Sequence, residues 1–280
     1  MTDLNITMTI NGQAVSGSET FDVENPATGK AFAKAPDCTQ AQLDAAVAAA
    51  RAALPAWKAT PIAKRRELLN AMAGVIMQNL PELSRLLTRE QGKPHPDAEG
   101  DVGGGAFWLM ESSKHEIPEH VSEASAERHA VTRYGPIGVV AAIVPWNFPI
   151  ILAAFKLGPA LLAGNTVVLK PAPTTPLTTL RIGELLRGVL PDGVLNVISG
   201  SDRLGKKVME SAAHSLKRVT LELGGNDPAI VMPDVDVEKV AEDLFWAAFR
   251  NAGQICIATK RMYIHKDIYE PLKAAIVAYA

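Results

Sequence analysis

Residues 137–171 read IGVVAAIVPWNFPIILAAFKLGPALLAGNTVVLKP, a stretch in which two short β-branched runs enclose one apolar helix. The same alternation continues with a helix pattern in LTTLRIGELLRGVL and a strand pattern in GVLNVISG. Strands that alternate with helices predict βαβ units and a parallel sheet. The strand runs are apolar throughout, as is typical of a sheet that helices cover on both faces. We therefore expect an α/β fold.

The chain before this stretch carries helix patterns. Apolar residues at three- and four-residue spacing predict helices in TQAQLDAAVAAARAALPAWK, PIAKRRELLNAMAGVIMQ and PELSRLLTREQG, and a fourth helix around residues 97–116. Thr39 and Pro61 suit the starts of their helices. The first third is therefore predicted to be mainly helical. The polar residues 117–136 are expected to form an extended arm or hairpin.

The last eighty residues continue the alternation. Their patterns predict a helix in GKKVMESAA, strands in RVTLELGG and PAIVM, a helix over about 235–250, a strand in RMYIHK and a final helix. These elements indicate that α/β organisation extends to the last residue, Ala280.

The composition is that of an ordinary soluble protein. The chain has 280 residues, 48% of them hydrophobic and 21% charged, with a net charge of −2, which suits one or two globular domains. Aromatic residues are only 5%, and no basic stripe is interleaved with them. The composition therefore predicts no nucleic-acid partner.

The apolar stretches do not predict a membrane partner. The longest, IILAAFKLGPALLAG, is interrupted by Lys156 and Pro159 and falls short of the roughly 20 residues that cross a bilayer. The first residues, MTDLNITMTINGQAV, lack the basic start and apolar core of a secretory signal. These two features predict a cytoplasmic location.

Two polar residues stand where predicted strands end. Asn147 lies in the turn PWNFP, and Lys170 ends the strand in VVLKP. Open parallel sheets bind ligands at the carboxyl edge of their strands. Asn147 could therefore face a ligand or simply stabilise its turn, and Lys170 could bind ribose hydroxyls or phosphate or be a solvated charge.

Two further residues could carry chemistry. Glu222 lies in LELGG, where the two glycines leave room for close approach, and it could be a general base or an ordinary turn charge. Cys256 lies in NAGQICIATKR and could be a nucleophile or a small buried residue. Because Cys38 is the only other cysteine, the chain has neither a disulfide scaffold nor the paired spacing of a zinc site, and no metal is predicted.

The four motifs PWNFP, LKPAPTTP, VTLELGG and NAGQICIATKR, in that order, strongly resemble the aldehyde dehydrogenase superfamily. The resemblance covers nearly the whole chain and implies a Rossmann-like, doubly wound parallel sheet. It implies that residues 1–117 and 137–229 form the cofactor-binding domain, that residues 118–136 form a bridging or oligomerisation arm, and that residues 230–280 begin the catalytic domain.

The resemblance also implies a reaction, the oxidation of an aldehyde to a carboxylic acid with NAD or NADP. Cys256 matches the nucleophile that forms a thiohemiacetal and then a thioester. Asn147 and the backbone N–H of Cys256 would hold the oxyanion, and Glu222 would activate the water that hydrolyses the thioester. Phe148 resembles a substrate-tunnel residue, although core packing also explains it.

The same resemblance assigns cofactor contacts. Lys170 matches a residue that contacts the adenosine ribose, and Trp146 resembles part of the cofactor wall, although core packing also explains it. Leu223 and Gly224 follow the general base and are assigned to cofactor binding as well. Many NAD-preferring members have a glutamate where this chain has Pro173, so NADP stays as open as NAD.

The chain departs from the family pattern in two places. The interval from Lys170 to Glu222 is roughly two dozen positions shorter than usual, enough for one helix and one strand. We therefore expect the sheet to lack the strand beside GVVAAIV, together with a turn that would face the cofactor pyrophosphate. The chain also ends at Ala280, at roughly three-fifths of the family length, which indicates an internally deleted and carboxyl-terminally truncated member.

Three functions fit these features. The first is the aldehyde dehydrogenase reaction with a small-molecule aldehyde as substrate; full-length family members form homo-oligomers. The second is a non-catalytic truncated remnant that cannot bind cofactor normally. The third is a hydrolase that uses Cys256, which the sequence favours least because no histidine lies in a recognisable Cys-His context.

Overall fold

The computed structural model describes residues 5–201, 210 and 217–280. The chain divides into two compact units, Met1–Ser215 and Leu216–Ala280, and each unit is described by itself. The helix expected in GKKVMESAA lies outside the described residues, apart from Glu210. Within the described ranges, none of the helices is long and apolar enough to cross a membrane.

The described part of the first unit contains both strands and helices. The strands are β1 (Met8–Ile10), β2 (Gln13–Val15), β3 (Glu19–Asn25), β4 (Lys30–Asp37), β5 (His120–Ala124), β6 (His129–Thr132), β7 (Val139–Ile143), β8 (Thr166–Lys170) and β9 (Leu195–Val197). The helices are α1 (Gln40–Ala59), α2 (Ile62–Gln78), α3 (Leu80–Gln91), α4 (His95–Ser113), α5 (Pro149–Leu162) and α6 (Leu177–Leu185).

The main sheet has five strands in the order β2-β1-β9-β8-β7. The strands β7, β8 and β9 are parallel, whereas β1 pairs antiparallel with β9 and β2 antiparallel with β1. All five residues of β8 are buried, because helices cover both faces of this part of the sheet. The predicted α/β fold with a Rossmann-like parallel sheet is confirmed.

The strand β7 lies at the edge of this sheet. Ala141 and Ile143 are exposed, in contrast to the buried residues of β8. In the ranges that the structure describes, β8 is the one strand that pairs with β7. Among the described residues, no second strand lies beside GVVAAIV, in agreement with the short interval between Lys170 and Glu222.

The amino-terminal region differs from the sequence prediction. The helix patterns predict a mainly helical first third, but residues 8–37 form two antiparallel hairpins, β1-β2 and β3-β4. The first hairpin turns at Asn11 and Gly12, which have φ values of 51° and 72°. Asn-Gly is the preferred pair for such a two-residue turn, because both positions need a positive φ. Pairing of Thr9 with Val197 then extends the parallel sheet on the side opposite β7.

The segment expected to be an arm or hairpin is a hairpin. His120–Ala124 and His129–Thr132 pair antiparallel, and every residue of the first of these strands is exposed. A hairpin prediction for residues 117–136 is therefore confirmed. The bridging or oligomerisation role assigned to residues 118–136 stays a prediction.

Glycines in α4 allow close packing against α5. A Cβ atom at Gly104 would lie 2.8 Å from Ile151 Cδ1, and one at Gly105 would lie 2.7 Å from Ile150 Cγ2. Real Cβ contacts are not this short, so a larger residue would push the helices apart. The intrinsic cost of glycine inside a helix is offset here by the contact between α4 and the amino-terminal turn of α5.

This packing predicts opposite effects for two alanine substitutions. Gly105→Ala should lower the free energy of unfolding by about 1–3 kcal/mol, because the new methyl group overpacks against Ile150. Gly103→Ala is the matched control, since a Cβ atom at this position would have nothing within 4 Å, and it should raise stability by up to about 1 kcal/mol. Urea denaturation of the two variants measures both effects, and equal changes would contradict the packing.

A buried carboxylate fixes the start of α6. Glu90 is 3% exposed, and its oxygens accept hydrogen bonds from the backbone N–H groups of Leu177 at 2.6 Å and Thr178 at 2.9 Å. These donors satisfy amides that the first turn of a helix leaves without partners. Burial raises the pKa of Glu90 to about 7, although the hydrogen bonds from Thr178 and Leu177 lower it in part.

The raised pKa of Glu90 predicts a pH dependence of stability. Between the ordinary glutamate pKa of 4.5 and the raised pKa of about 7, the folded chain keeps a proton that the unfolded chain has lost. The free energy of unfolding should therefore fall as pH rises through this window, by about 3 kcal/mol in total for one group. Glu90→Gln removes the titration. Denaturant unfolding between about pH 5 and pH 8 should show a flatter profile for the variant, and equal slopes would contradict the assignment.

The second unit is a small α/β layer. In residues 217–280, the strands β10 (Asp227–Val231) and β11 (Thr259–Ile264) are parallel, and the helices are α7 (Val237–Phe249) and α8 (Tyr269–Tyr279). Its small core is formed by four buried residues, Val231, Ala241, Leu244 and Leu272. The strands predicted in PAIVM and RMYIHK and the helix over 235–250 are confirmed.

The prediction of a strand in RVTLELGG is wrong. Residues 217–226 form neither helix nor strand. Within the described part of the chain, no strand pairs with this segment, and Val219, Leu221 and Leu223 are 47%, 59% and 86% exposed. A β-branched run forms a strand only where another strand satisfies its backbone groups, and here that partner is lacking.

Candidate active site

The carboxyl edge of the first unit's sheet brings two predicted residues onto neighbouring strands. Ile143, the last residue of β7, is in register with Lys170, the last residue of β8. The Val144 N–H then donates to the Lys170 carbonyl at 3.0 Å, shortly before the turn that carries Asn147. The expectation that both motifs lie at this edge follows from the parallel pairing and is correct.

Lys170 is buried rather than solvated. Its residue exposure is 4%, and its Nζ donates to the Pro171 carbonyl at 3.2 Å. A buried ammonium needs oxygen acceptors, because an isolated charge is costly away from water. The interpretation of Lys170 as an ordinary solvated charge is therefore wrong. Pro173, three residues further on, is half-buried, whereas Trp146 is 41% exposed.

The PWNFP turn leads directly into α5. Phe148 occupies the N-cap position but makes no side-chain capping hydrogen bond. The missing acceptor comes from α4, where Asp101 Oδ1 accepts the N–H of Ile151 at 2.9 Å. A carboxylate at this position also complements the positive end of the helix dipole.

Lys93 also contacts this turn. Its Nζ lies 2.9 Å from Asp101 Oδ2 and 2.9 Å from the Asn147 carbonyl oxygen, to which it donates. The ammonium also lies 4.0 Å from the centre of the Phe148 ring, a cation–π contact. Burial raises the pKa of Asp101, and the Lys93 charge and hydrogen bond offset part of that increase.

In the second unit, Cys256 follows an unusual backbone turn. Asn251, Ala252 and Gly253 have φ values of 52°, 53° and 71°, a left-handed conformation that alanine rarely adopts. Lys260 Nζ donates to the carbonyls of Gly253 at 2.5 Å and Ile255 at 3.4 Å. Strained backbone of this kind is concentrated at functional sites, and here it leads directly to Cys256.

The two cysteines lie in different surroundings. Cys256 is partly exposed, whereas Cys38 is buried. Burial raises the pKa of the Cys38 thiol to about 11, Asp37 raises it further and Lys170 opposes the shift. Because the thiolate is the reactive form, Cys38 is an inert core residue. Of the two, only Cys256 is open to solvent as a nucleophile must be.

The segment that carries Glu222 lies beside the Cys256 loop. A Cβ atom on Gly225 would lie 2.5 Å from the Cys256 carbonyl oxygen, so only glycine fits between the two backbones. The Gly224 N–H donates to Glu222 Oε1 at 2.9 Å, and Gly224 has a φ of 85°. Arg261 joins the same two segments, because its guanidinium donates to the Asn226 carbonyl at 2.7 and 3.2 Å.

The predicted site residues therefore form two groups. Asn147, Trp146, Lys170 and Pro173 belong to the carboxyl edge of the first unit, and the segment Glu222–Gly224 lies next to Cys256 in the second unit. Glu222 and Leu223 are exposed.

Sequence reasoning missed Lys93 and Asp101. They lie in REQGKPHPDAEGD, a stretch rich in charged residues, which predicts surface charges rather than a buried pair. No group of three or more metal-binding side chains occurs in residues 5–201 and 217–280.

Comparisons with known proteins identify the family. The family model described as "Aldehyde dehydrogenase family" matches residues 14–204 and 198–280. A Pseudomonas sp protein named "Probable aldehyde dehydrogenase" is 42% identical over 294 residues, with 98% of this chain and 60% of that protein covered. The NADP(+) succinate-semialdehyde dehydrogenase GabD of Escherichia coli (strain K12) is 37% identical over 93% of this chain and 60% of its own length.

The solved structures agree with this. The crystal structure of PnpE in complex with nicotinamide adenine dinucleotide matches with a TM-score of 0.92 and 36% identity, over 100% of this chain and 63% of the PnpE chain. This chain spans about 60% of the length of the relatives it matches. The 294 aligned positions also exceed its 280 residues, so the alignment opens gaps within it, in agreement with a shortened interior. The chain belongs to the aldehyde dehydrogenase family.

Proposed function

We propose that this chain carries the catalytic residues for oxidation of an aldehyde to a carboxylic acid, with NAD or NADP as the hydride acceptor. The observation that supports this most is the close approach of Gly225 to the Cys256 carbonyl. That contact lies between the glycine three residues after Glu222 and the backbone of the residue that carries the partly exposed thiol. A nucleophile and a general base on adjacent backbones are what thioester chemistry requires.

The Cys256 sulfur begins the reaction. As the thiolate it attacks the aldehyde carbon, and the carbonyl π electrons move to oxygen to give a thiohemiacetal anion. The backbone N–H of Cys256 and the side-chain amide of Asn147 donate to this oxyanion. Donors that are already oriented where negative charge develops lower the barrier more than water does.

A nicotinamide bound beside Cys256 would accept the hydride that leaves the thiohemiacetal carbon, and Cys256 would then carry a thioester. Five residues would hold the dinucleotide: Trp146, Lys170, Pro173, Leu223 and Gly224. In the first unit, Lys170 brings a cation to the edge where parallel sheets bind ligands. In the second unit, nothing lies within 4 Å of a Cβ position on Gly224, which leaves room for a ligand. Pro173 brings no carboxylate toward a 2′-phosphate, so nothing at this position selects NAD over NADP.

Glu222 completes the cycle. Its carboxylate takes a proton from water while the water oxygen attacks the thioester carbon, and the sulfur leaves as the thiolate. The products are a carboxylic acid and free Cys256. Residues 1–117 and 137–229 would serve as the cofactor domain, residues 118–136 would bridge to a second copy, and residues 230–280 would begin the catalytic domain.

The alternative is a non-catalytic remnant. One observation favours it, the edge position of β7 in the described sheet. A protein of this kind would fold partly without binding cofactor in the normal way.

One experiment separates these functions. Purified chain is incubated with an aldehyde and either NAD or NADP, and the reduced cofactor is followed by its absorbance while the acid is identified by mass. Aldehyde-dependent reduction with stoichiometric acid supports the dehydrogenase. Calorimetric titration with each cofactor is run in parallel, and absence of both saturable heat and turnover would establish the remnant.

A further inference from the structure

Lys93 and Asp101 form a buried ion pair outside the set of predicted site residues. Their side chains are 1% and 0% exposed, and Lys93 Nζ lies 2.9 Å from Asp101 Oδ2. Lys93 lies between α3 and α4, and Asp101 lies in the second turn of α4. Two fully desolvated charges carry a large desolvation penalty, which their mutual attraction offsets only when the geometry is good.

The same pair also contacts the PWNFP turn and the start of α5. Lys93 donates to the Asn147 carbonyl at 2.9 Å, and Asp101 accepts the Ile151 N–H at 2.9 Å. The Phe148 ring lies 4.0 Å from the ammonium. The pair therefore bonds the turn at the Asn147 carbonyl and the first turn of α5 at the Ile151 N–H.

Holding the Asn147 carbonyl constrains the backbone from which the Asn147 side chain projects. Pro145 and Pro149 restrict φ at two positions of the turn. The orientation of the Asn147 carbonyl sets ψ of Asn147, one of the angles that relate this residue to α5. Lys93 is the described group that bonds to this oxygen.

We propose that Lys93, anchored by Asp101, is a positioning residue that orients the Asn147 amide toward the oxyanion. This role rests on the proposed function of Asn147. A misplacement of about 1 Å at a catalytic donor costs roughly a hundredfold in rate. Loss of Lys93 should therefore lower kcat without changing KM, because the donor acts on charge that develops in the transition state.

The choice of variant matters because Lys93→Met alone would leave Asp101 as an uncompensated buried charge and could prevent folding. The double variant Lys93→Met with Asp101→Asn leaves no charge buried at this site and keeps an acceptor for the Ile151 N–H. The matched control is Lys64→Met with Glu67→Asn, which removes an exposed lysine–carboxylate pair in α2.

The first measurement does not depend on activity. The carbonyl carbon and side-chain amide resonances of Asn147 are recorded by NMR in the full chain and in both double variants. The Lys93 and Asp101 variant should shift these resonances and broaden the side-chain amide, and the Lys64 and Glu67 variant should not. Unchanged Asn147 resonances in the Lys93 and Asp101 variant would overturn the positioning role.

The second measurement is a double-mutant cycle that combines the Lys93 and Asp101 variant with Asn147→Ala. The quantity measured is kcat for hydrolysis of an activated ester by the full chain. The Lys93 and Asp101 variant should lower kcat about 10- to 100-fold. Adding Asn147→Ala to it should lower kcat no further than Asn147→Ala alone, since both changes remove the same donor. Fully additive losses would overturn the role. If Asn147→Ala alone has no effect, the proposed function of Asn147 fails, and the NMR result still decides whether Lys93 positions it.

Discussion

Cys256→Ala should abolish both aldehyde oxidation and ester hydrolysis, with a loss of at least about a thousandfold in kcat. The reason is that the sulfur forms the bond that every later step needs, and alanine offers no atom to replace it. Absorbance assays of the reduced cofactor and of the released alcohol measure the two activities.

Cys38→Ala is the matched control for this prediction. Cys38 is 8% exposed, and burial raises the pKa of its thiol to about 11, so its removal should leave kcat within about twofold. Retention of activity by the Cys256 variant, or loss of activity in the Cys38 variant, would show that Cys256 is not the nucleophile.

Glu222→Gln should separate the two halves of the reaction. Acylation of Cys256 does not need the general base for water, whereas hydrolysis of the thioester does, so turnover should fall by about 10²- to 10⁴-fold. A rapid burst of reduced cofactor, equal in amount to the enzyme, should come first, and a slow phase limited by thioester hydrolysis should follow. Stopped-flow absorbance measures the burst amplitude and both rates.

The control for this variant is Glu238→Gln, which changes another exposed carboxylate of the same unit. It should retain the steady-state rate of the unmodified chain. A Glu222 variant that loses the burst together with turnover would show that Glu222 acts before acylation.

The central part of the fold could be predicted from the sequence because its signals are local and strong. The β-branched runs of β7, β8 and β9 are separated by apolar helices, and that alternation allows only a parallel sheet. Thr39 is the N-cap residue of α1, as predicted, and its side chain forms a capping box with Gln42.

Other parts depend on contacts between distant residues. The strands β1 and β2 have three residues each, too short for an apolar period, and their one local signal is the Asn11-Gly12 pair of the turn. The VTLELGG run has the composition of a strand but no described partner strand. The glycines of α4 make sense only once Ile150 and Ile151 of α5 are seen against them.

The candidate site shows the same division. Asn147 and Lys170 could be placed at one sheet edge from the sequence, because parallel strands end at the same side. Lys93 and Asp101 could not, since a buried ion pair is defined by two segments meeting and not by residue type or spacing. The Gly225 contact with the Cys256 carbonyl is likewise set by the parallel pairing of β10 with β11.

The most direct test is a peptide mass map of the Glu222→Gln protein after brief treatment with an activated acetyl ester. Trypsin releases Cys256 in the peptide 251–260, between Arg250 and Lys260, and Cys38 in a separate peptide. The proposed chemistry predicts an acetyl group on the Cys256 peptide, with Cys38 unmodified. An unmodified Cys256 peptide, or an acetyl group on Cys38 instead, would contradict it.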